Sequence, residues 1–352
     1  MKIPRRRSAL VGAATVLALV GVLSGCGDNG SDTAAGSASG GKGGGGKITI
    51  GVPGIPPIFL NTVMYVGEKQ GFFKDRGLDV TLRPLTTGAD VGRAVQSGEI
   101  QGGIIGTPGA VALRASGGSI VSVMGFPKPT YLLASTDPGV TTCEAVKGKT
   151  VAVDAVGAPK ALALASMLDS CGLGPKDVST INVGGPPTVD ALVAGQVKVA
   201  VLHPDELATV REKIKPGTKV DEIMTLAGVD PLEHYTVLVT SKKALDGPAR
   251  EQWVNVVAAV RESIAYMNDP AHIKQVAAVA SGVTKAPESV TEAALPTFLS
   301  LGVWPKSGDG LDRKAIEHTI EGAVAAGNVP QQKAPTYDEL ADPSVFADAT
   351  GK

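Results

Sequence analysis

Glu68-Lys69-Gln70-Gly71-Phe72-Phe73-Lys74-Asp75-Arg76-Gly77-Leu78-Asp79-Val80 holds a helix end, a turn and a strand start within thirteen residues. Gly71 and Gly77 suit positions of positive φ, one closing a helix and the other making a tight turn. Phe72 and Phe73 are placed to bury the helix end. Leu78 and Val80 alternate with Asp79, as the first residues of a strand do.

Working outward, the same alternation of helix and strand continues in both directions. Lys47–Val52 reads as a strand running into the Pro53-Gly54-Ile55-Pro56-Pro57 loop, and Thr62–Lys69 as a helix. Leu78–Pro84 is a second strand, followed by Thr86-Thr87-Gly88 and a helix over Ala89–Gln96. Gly102–Ile105 is a short strand before Gly106-Thr107-Pro108, then comes a helix carrying Val111, Ala112 and Ala115, then a strand at Ile120–Met124. A second cycle has strands at Tyr131–Ser135, Thr150–Val153, Ser179–Val183 and Lys198–Leu202, a helix at Pro159–Ser170, and a return strand at Val237–Ser241. Helices then dominate: Pro248–Met267, Pro270–Ala280, Pro287–Leu301 and Leu311–Ala326, several with proline in the first turn, where it fits. The rhythm predicts an α/β fold with doubly wound sheets in two lobes, a hinge between them and a helical C-terminal segment. In such sheets ligands sit beyond the carboxyl ends of strands, near helix N-termini.

The chain begins differently. Lys2, Arg5, Arg6 and Arg7 precede an uncharged apolar run, Leu10–Leu23, too short to span a bilayer comfortably. A basic start, a short apolar middle and small residues at the end make a secretion signal. Leu23-Ser24-Gly25-Cys26 resembles a bacterial lipobox, which implies lipidation at Cys26 and residues 1–25 as a lipoprotein signal peptide. The Arg6-Arg7 pair is a faint twin-arginine feature, which leaves the export route open. Nine of the next twenty residues, 27–46, are glycine. Residues 26–46 are therefore expected to be an anchored cysteine and a flexible tether with a reach of about 25 Å. The expected location is the extracytoplasmic face of a cell membrane, with a second acyl chain making the anchorage stable.

Composition narrows the function. Of 352 residues, 43% are hydrophobic and 19% charged, enough to build a core. The formal charge of -1 becomes -5 once residues 1–25, with four cations and no acid, are removed. Neither charge nor the 13 Trp, Tyr and Phe residues suits nucleic acid, which wants a basic patch or a stacking platform. The same scarcity weighs against a sugar stacked on aromatic faces. Cys143, Gly148-Lys149-Thr150 nearly spells a phosphate loop, but a strand follows it where a helix is required. No Gly-x-Ser-x-Gly elbow occurs. The four histidines, 203, 234, 272 and 318, are scattered, and no metal-ligand spacing is present, so no metal and no cofactor is expected. Repeats and heptads are also missing.

Three segments carry a family resemblance: the Glu68–Val80 run, Ala94-Val95-Gln96-Ser97-Gly98-Glu99-Ile100, and Val146-Lys147-Gly148-Lys149-Thr150-Val151-Ala152-Val153. Over roughly residues 47 to 330 the chain resembles the nitrate/sulfonate/taurine and thiamine-precursor substrate-binding proteins of ABC importers. The resemblance implies a type II periplasmic-binding-protein-like fold that closes on a small molecule and hands it to a permease. Two departures stand out: Gln101 replaces a common Asp, and His203-Pro204-Asp205-Glu206 replaces a Trp-Glu-Pro-like run in what reads as a cleft loop. The expected lobes are residues 47–129 with 235–345, and residues 130–234, in a monomeric chain.

The candidate ligand residues follow from the loops after strands. In the first lobe they are Ile55, Pro56, Pro57, Thr86, Thr87 and Thr107. At the hinge they are Phe126, Lys128 and Tyr131. In the second lobe they are Asp154, Gly157, Gly184, His203 and Asp205, with Tyr235 at the return crossing. Threonine hydroxyls and helix-start N–H groups suit an anion or carbonyl, Lys128 a carboxylate or sulfonate, and Asp154 and Asp205 an amine or ring N–H. The threonines are equally natural helix caps, Lys128 a solvated hinge residue, Asp154 a cap and Tyr235 packing. Sulfonate, taurine and a pyrimidine thiamine precursor all remain open as ligands. A pyrimidine-precursor synthase on the same fold and a surface receptor without transport are the alternatives. Cys143 and Cys171 lie in an exported body, where a disulfide persists; two buried thiols are the other reading.

Overall fold

A computed structural model describes residues 46–154, 159–183 and 186–351. Within these described residues, ten strands form two five-stranded sheets. In chain order they are β1 (Lys47–Pro53), β2 (Asp79–Leu85), β3 (Gly102–Gly106), β4 (Ile120–Phe126), β5 (Leu132–Ser135), β6 (Thr150–Val153), β7 (Ser179–Asn182), β8 (Val199–Leu202), β9 (Asp221–Thr225) and β10 (Thr236–Ser241). The first sheet has the order β2-β1-β3-β10-β4 and the second β7-β6-β8-β5-β9. Each contains four strands running in one direction and one antiparallel strand inserted among them: β10 between β3 and β4, and β5 between β8 and β9. The fold is α/β and two-lobed, with helices on both faces of each sheet.

Strand alternation explains why both faces are covered. In β10, Val237 and Val239 pack on one side with Val91, Ile105 and Ile316, while Leu238 packs on the other with Ile50, Met124 and Trp253. In the second sheet Leu133, Val151 and Val199 face one core, and Leu132, Ala152 and Ala200 face the other. Both surfaces of a parallel sheet need such cover.

The Glu68–Val80 run folds as its residues suggest. The Thr62–Gln70 helix closes at Gly71, φ 84°, and Gly77, φ 73°, turns the chain into β2. Phe73 and Leu78 are buried in the first-lobe core. Helices at Arg250–Asn268, Ile273–Thr284, Glu288–Leu301 and Arg313–Ala325 form the C-terminal segment. Pro270 opens a 3-10 turn, Pro270–His272, ahead of its helix. The tail ends in a Ser344–Thr350 helix that packs on Arg250–Asn268, with Arg250 donating to Asp348 at 2.7 Å.

Two features differ from the sequence expectation. β9 was not anticipated: it is a five-residue edge strand that begins Asp221-Glu222, and half-exposed edges hide the period-two signal. The His203–Glu206 run is not a loop. It caps and starts a helix, Pro204–Lys213, because Glu206 accepts the backbone N–H of His203 at 2.8 Å in a capping-box arrangement with proline at N1.

Candidate functional site

The chain passes between the sheets twice, after β4 and before β10. Tyr235 N–H donates to Pro127 O at 3.0 Å, Leu226 N–H to Tyr131 O at 2.9 Å, and Lys128 Nζ to Pro231 O at 3.1 Å, tying the two crossing segments together. Beside them lies a cavity of ≈ 510 Å³, within the size range of small-molecule sites.

Four parts of the chain build it. The β1 loop supplies Ile55, Pro56, Pro57 and Ile58, followed by Phe59 and Leu60. The crossings supply Thr130 and Tyr235. The second lobe supplies Val189, Asp190, His203, Asp205, Glu206, Thr209 and Lys213. The helical segment supplies Thr284, Lys285, Ala286, Pro287 and Phe298. Phe59 stacks on Phe298 with ring centroids 4.3 Å apart, and Trp304, whose indole N–H donates to Leu60 O at 3.0 Å, backs both. This makes one apolar wall. Ile55, at 69% exposed, projects from the loop at its mouth.

The opposite end is polar and tightly connected. Lys160, 5% exposed, donates to both carboxylate oxygens of Glu206 at 2.8 and 2.6 Å. His203 Nδ1 shares a 2.6 Å hydrogen bond with Thr130 Oγ1, and its ring lies 4.7 Å from that of Tyr131. Tyr131 meets Tyr235 edge-on at 5.6 Å. Burial pushes His203 down to about 4, so the imidazole is neutral at pH 7. Burial, reinforced by the Glu206 charge, pushes Asp205 up to about 7. Burial also raises both tyrosines, Tyr131 well above its ordinary value.

Six of the residues singled out in the sequence come together on the cavity wall: Ile55, Pro56, Pro57, His203, Asp205 and Tyr235. Tyr131 stands behind two of them. The others are placed elsewhere. Thr86 is exposed after β2, and Thr87 caps the Gly88–Ser97 helix reciprocally with Asp90. Thr107 is buried and its hydroxyl bonds His234 Nδ1 at 2.8 Å, while His234 Nε2 bonds Gly310 O at 2.7 Å. Phe126 belongs to the first-lobe core. Lys128 joins the crossing segments, as above. Asp154 accepts the N–H groups of Lys160 and Ala161 at 3.1 and 3.2 Å, serving the start of the Pro159–Asp169 helix. Gly157, Gly184 and Cys26 lie outside the described residues.

Sequence reasoning passed over Thr130, Lys160 and Glu206, and the Phe59–Phe298 wall. The three-residue spacing of His203 and Glu206 is a capping signal that could have placed Glu206. Phe298 reaches the wall from 239 positions beyond Phe59, and no local pattern marks that. Cys143 and Cys171 are joined in the structure, with Cα atoms 6.2 Å apart. Among the described residues no group of three or more His, Cys, Asp or Glu is arranged to hold a metal ion. Nor is any helix among them long and apolar enough to cross a membrane.

The profile of the NMT1/THI5-like family matches residues 60–273, which include β2 to β10 and most of this cavity's polar end. The chain belongs to the NMT1/THI5-like family. No curated protein sequence matches it. Among solved structures, the NMT1/THI5-like chain is similar to a putative sulfonate ABC transporter component, the periplasmic sulfonate-binding protein SsuA from Methylobacillus flagellatus. The TM-score is 0.67 at 17% identity, covering 87% of this chain and 94% of that one. It is also similar to the ligand-binding component of an ABC-type import system from Staphylococcus aureus, with TM-score 0.65, 16% identity and coverage of 86% and 98%. DszB, an enzyme solved with biphenyl-2-sulfinic acid, shares the fold at TM-score 0.59 and 14% identity, covering 86% and 99%. At these identities the likeness is one of fold, a two-lobed fold shared by the two import-system proteins and by DszB.

Proposed function

We propose that this protein is an extracytoplasmic solute-binding lipoprotein that captures a small organic solute between its lobes and delivers it to an ABC permease. The observation that carries this reading is the ≈ 510 Å³ cavity, whose wall draws residues from both sheets' lobes and from both crossing segments. A ligand touching all of these favours the closed arrangement of the lobes over any open one, and a permease can read that difference. We assign residues 47–129 with 235–345 to one lobe and 130–234 to the other. Cys26 is the lipidated residue, reached through the 26–46 tether, and Cys143–Cys171 is an oxidised pair in the exported body. The candidate solutes are those of the resemblance: sulfonate, taurine, a thiamine precursor or a similar compact molecule. The binding role is preferred to an enzymatic one because most of the solved structures that share the fold, those from Methylobacillus flagellatus and Staphylococcus aureus among them, are solute-binding components of import systems.

A thermal-shift screen over sulfonates, pyrimidines, amino acids, amines, aromatic acids and inorganic anions tests the reading. A ligand held at 100 times its Kd stabilises by about 2.7 kcal/mol through linkage. At least one class is expected to raise the melting temperature in a saturable way. A flat screen across every class would count against solute capture.

A further inference from the structure

The polar end of the cleft holds more carboxylates than cations. His203 feels Glu206, Asp154 and a single lysine, Lys160. That lysine is already bonded to both oxygens of Glu206. Asp154 serves the backbone of the Pro159–Asp169 helix. Asp205 lines the cavity and, among the described residues, forms no ion pair; its carboxyl is held by the first-turn N–H groups of its own helix. The neutral His203 adds no positive charge. The two lysines that line the cavity, Lys213 and Lys285, are exposed to solvent, and Lys285 Nζ donates to Gly282 O at 2.6 Å.

An oxyanion seated at this end would face the Glu206 carboxylate and, whenever it is ionised, that of Asp205, with Lys160 already engaged by Glu206 and Lys213 out in solvent, and like charges at short range repel strongly out of bulk water. A cation there would complete an ion pair and lie against the Tyr235 ring, which attracts positive charge through its π face. We infer that the cleft selects an amphipathic organic ammonium, its charged head donating to Asp205 and its apolar body lying along Phe59 and Phe298, and discriminates against sulfonates. Burial, then the Glu206 charge, raises Asp205 to about 7, and an ammonium bound beside it would favour the ionised carboxylate. This inference rests on the proposed solute-binding role.

The test is calorimetric titration of the full-length protein in detergent with solutes that share a body and differ in head. Phenethylamine is compared with 2-phenylethanesulfonate, and hexylamine with hexanesulfonate. The amines are expected to bind at least about tenfold more tightly than the matched sulfonates, the scale of one charge-assisted hydrogen bond. Asp205→Asn, checked for an unchanged circular dichroism spectrum, should weaken the amines by a similar factor, and Asp205→Glu should restore part of the loss. Sulfonates binding as tightly as amines, or amines unaffected by Asp205→Asn, would overturn the head-group inference and leave solute capture standing. If neither head class binds and the broader screen is flat, both fall together.

Discussion

Replacing Lys160 with methionine should destabilise the protein by about 3–5 kcal/mol, the cost of stranding one member of a buried ion pair. Lys160 is 5% exposed, and its ammonium touches both oxygens of Glu206, whose side chain is 15% exposed. The pair joins the Pro159–Asp169 helix to the Pro204–Lys213 helix, so it fixes the bed on which His203 and Asp205 sit. Methionine keeps most of the aliphatic stem, and the loss is therefore electrostatic rather than a packing defect. Glu206 would be left with the His203 N–H as its remaining partner and with Asp205 as a like-charged neighbour. Urea unfolding followed by far-UV circular dichroism measures the effect, with the slope of the transition expected to be unchanged. The double variant Lys160→Met with Glu206→Gln removes both charges and should recover most of the loss, since a buried pair can often be replaced by neutral groups at little cost. A single variant that loses less than about 1 kcal/mol, or a double variant no more stable than the single, would refute the reasoning.

Other outcomes follow from the same geometry. Asp205, raised to about 7, contributes stability that is complete below pH 4 and is lost as pH rises towards 7, about 4 kcal/mol in all. His203, lowered to about 4, contributes stability that is complete above pH 6.5 and is lost as pH falls towards 4, about 3 kcal/mol. The two slopes oppose each other between pH 4 and 7. Asp205→Asn should therefore expose a steep acid loss that the parent lacks, read from urea midpoints at pH 4.5, 5.5 and 6.5; parallel curves would contradict it. Reducing the Cys143–Cys171 bond, which closes 28 residues, should cost about 3.5 kcal/mol in the chain-entropy model. An unchanged melting temperature under reductant would tell against that pair as a stabilising element. Cys26→Ala should release the protein from membranes with its melting temperature intact, and a variant still sedimenting with membranes would argue against lipid anchorage.

The fold was legible because its signals are local. Helix ends at Gly71 and strand starts at Leu78 or Thr150 are set within a few residues, and the alternation of such signals suffices to indicate doubly wound sheets. Val237–Ser241 reads as a return strand to the first lobe, but its place between β3 and β4 is set by long-range pairing that no local pattern marks. The site was legible only in part. Loop residues such as Ile55 and Pro57 follow from the rule that ligands meet strand ends, but the rule does not separate a cap from a contact, and Thr87, Thr107 and Asp154 proved to be engaged with the fold itself. Lys160 was hidden because a lysine in a helical run reads as surface until its partner is known. Phe298 was hidden because its helix reaches the cleft through tertiary packing alone.

A crystal structure of the protein with the first solute that stabilises it tests the central claim most directly. Density is expected between the Phe59–Phe298 wall and the Asp205–Tyr235 end, in contact with both lobes and with a crossing segment. Density outside this cleft, or contacts confined to one lobe, would contradict the account.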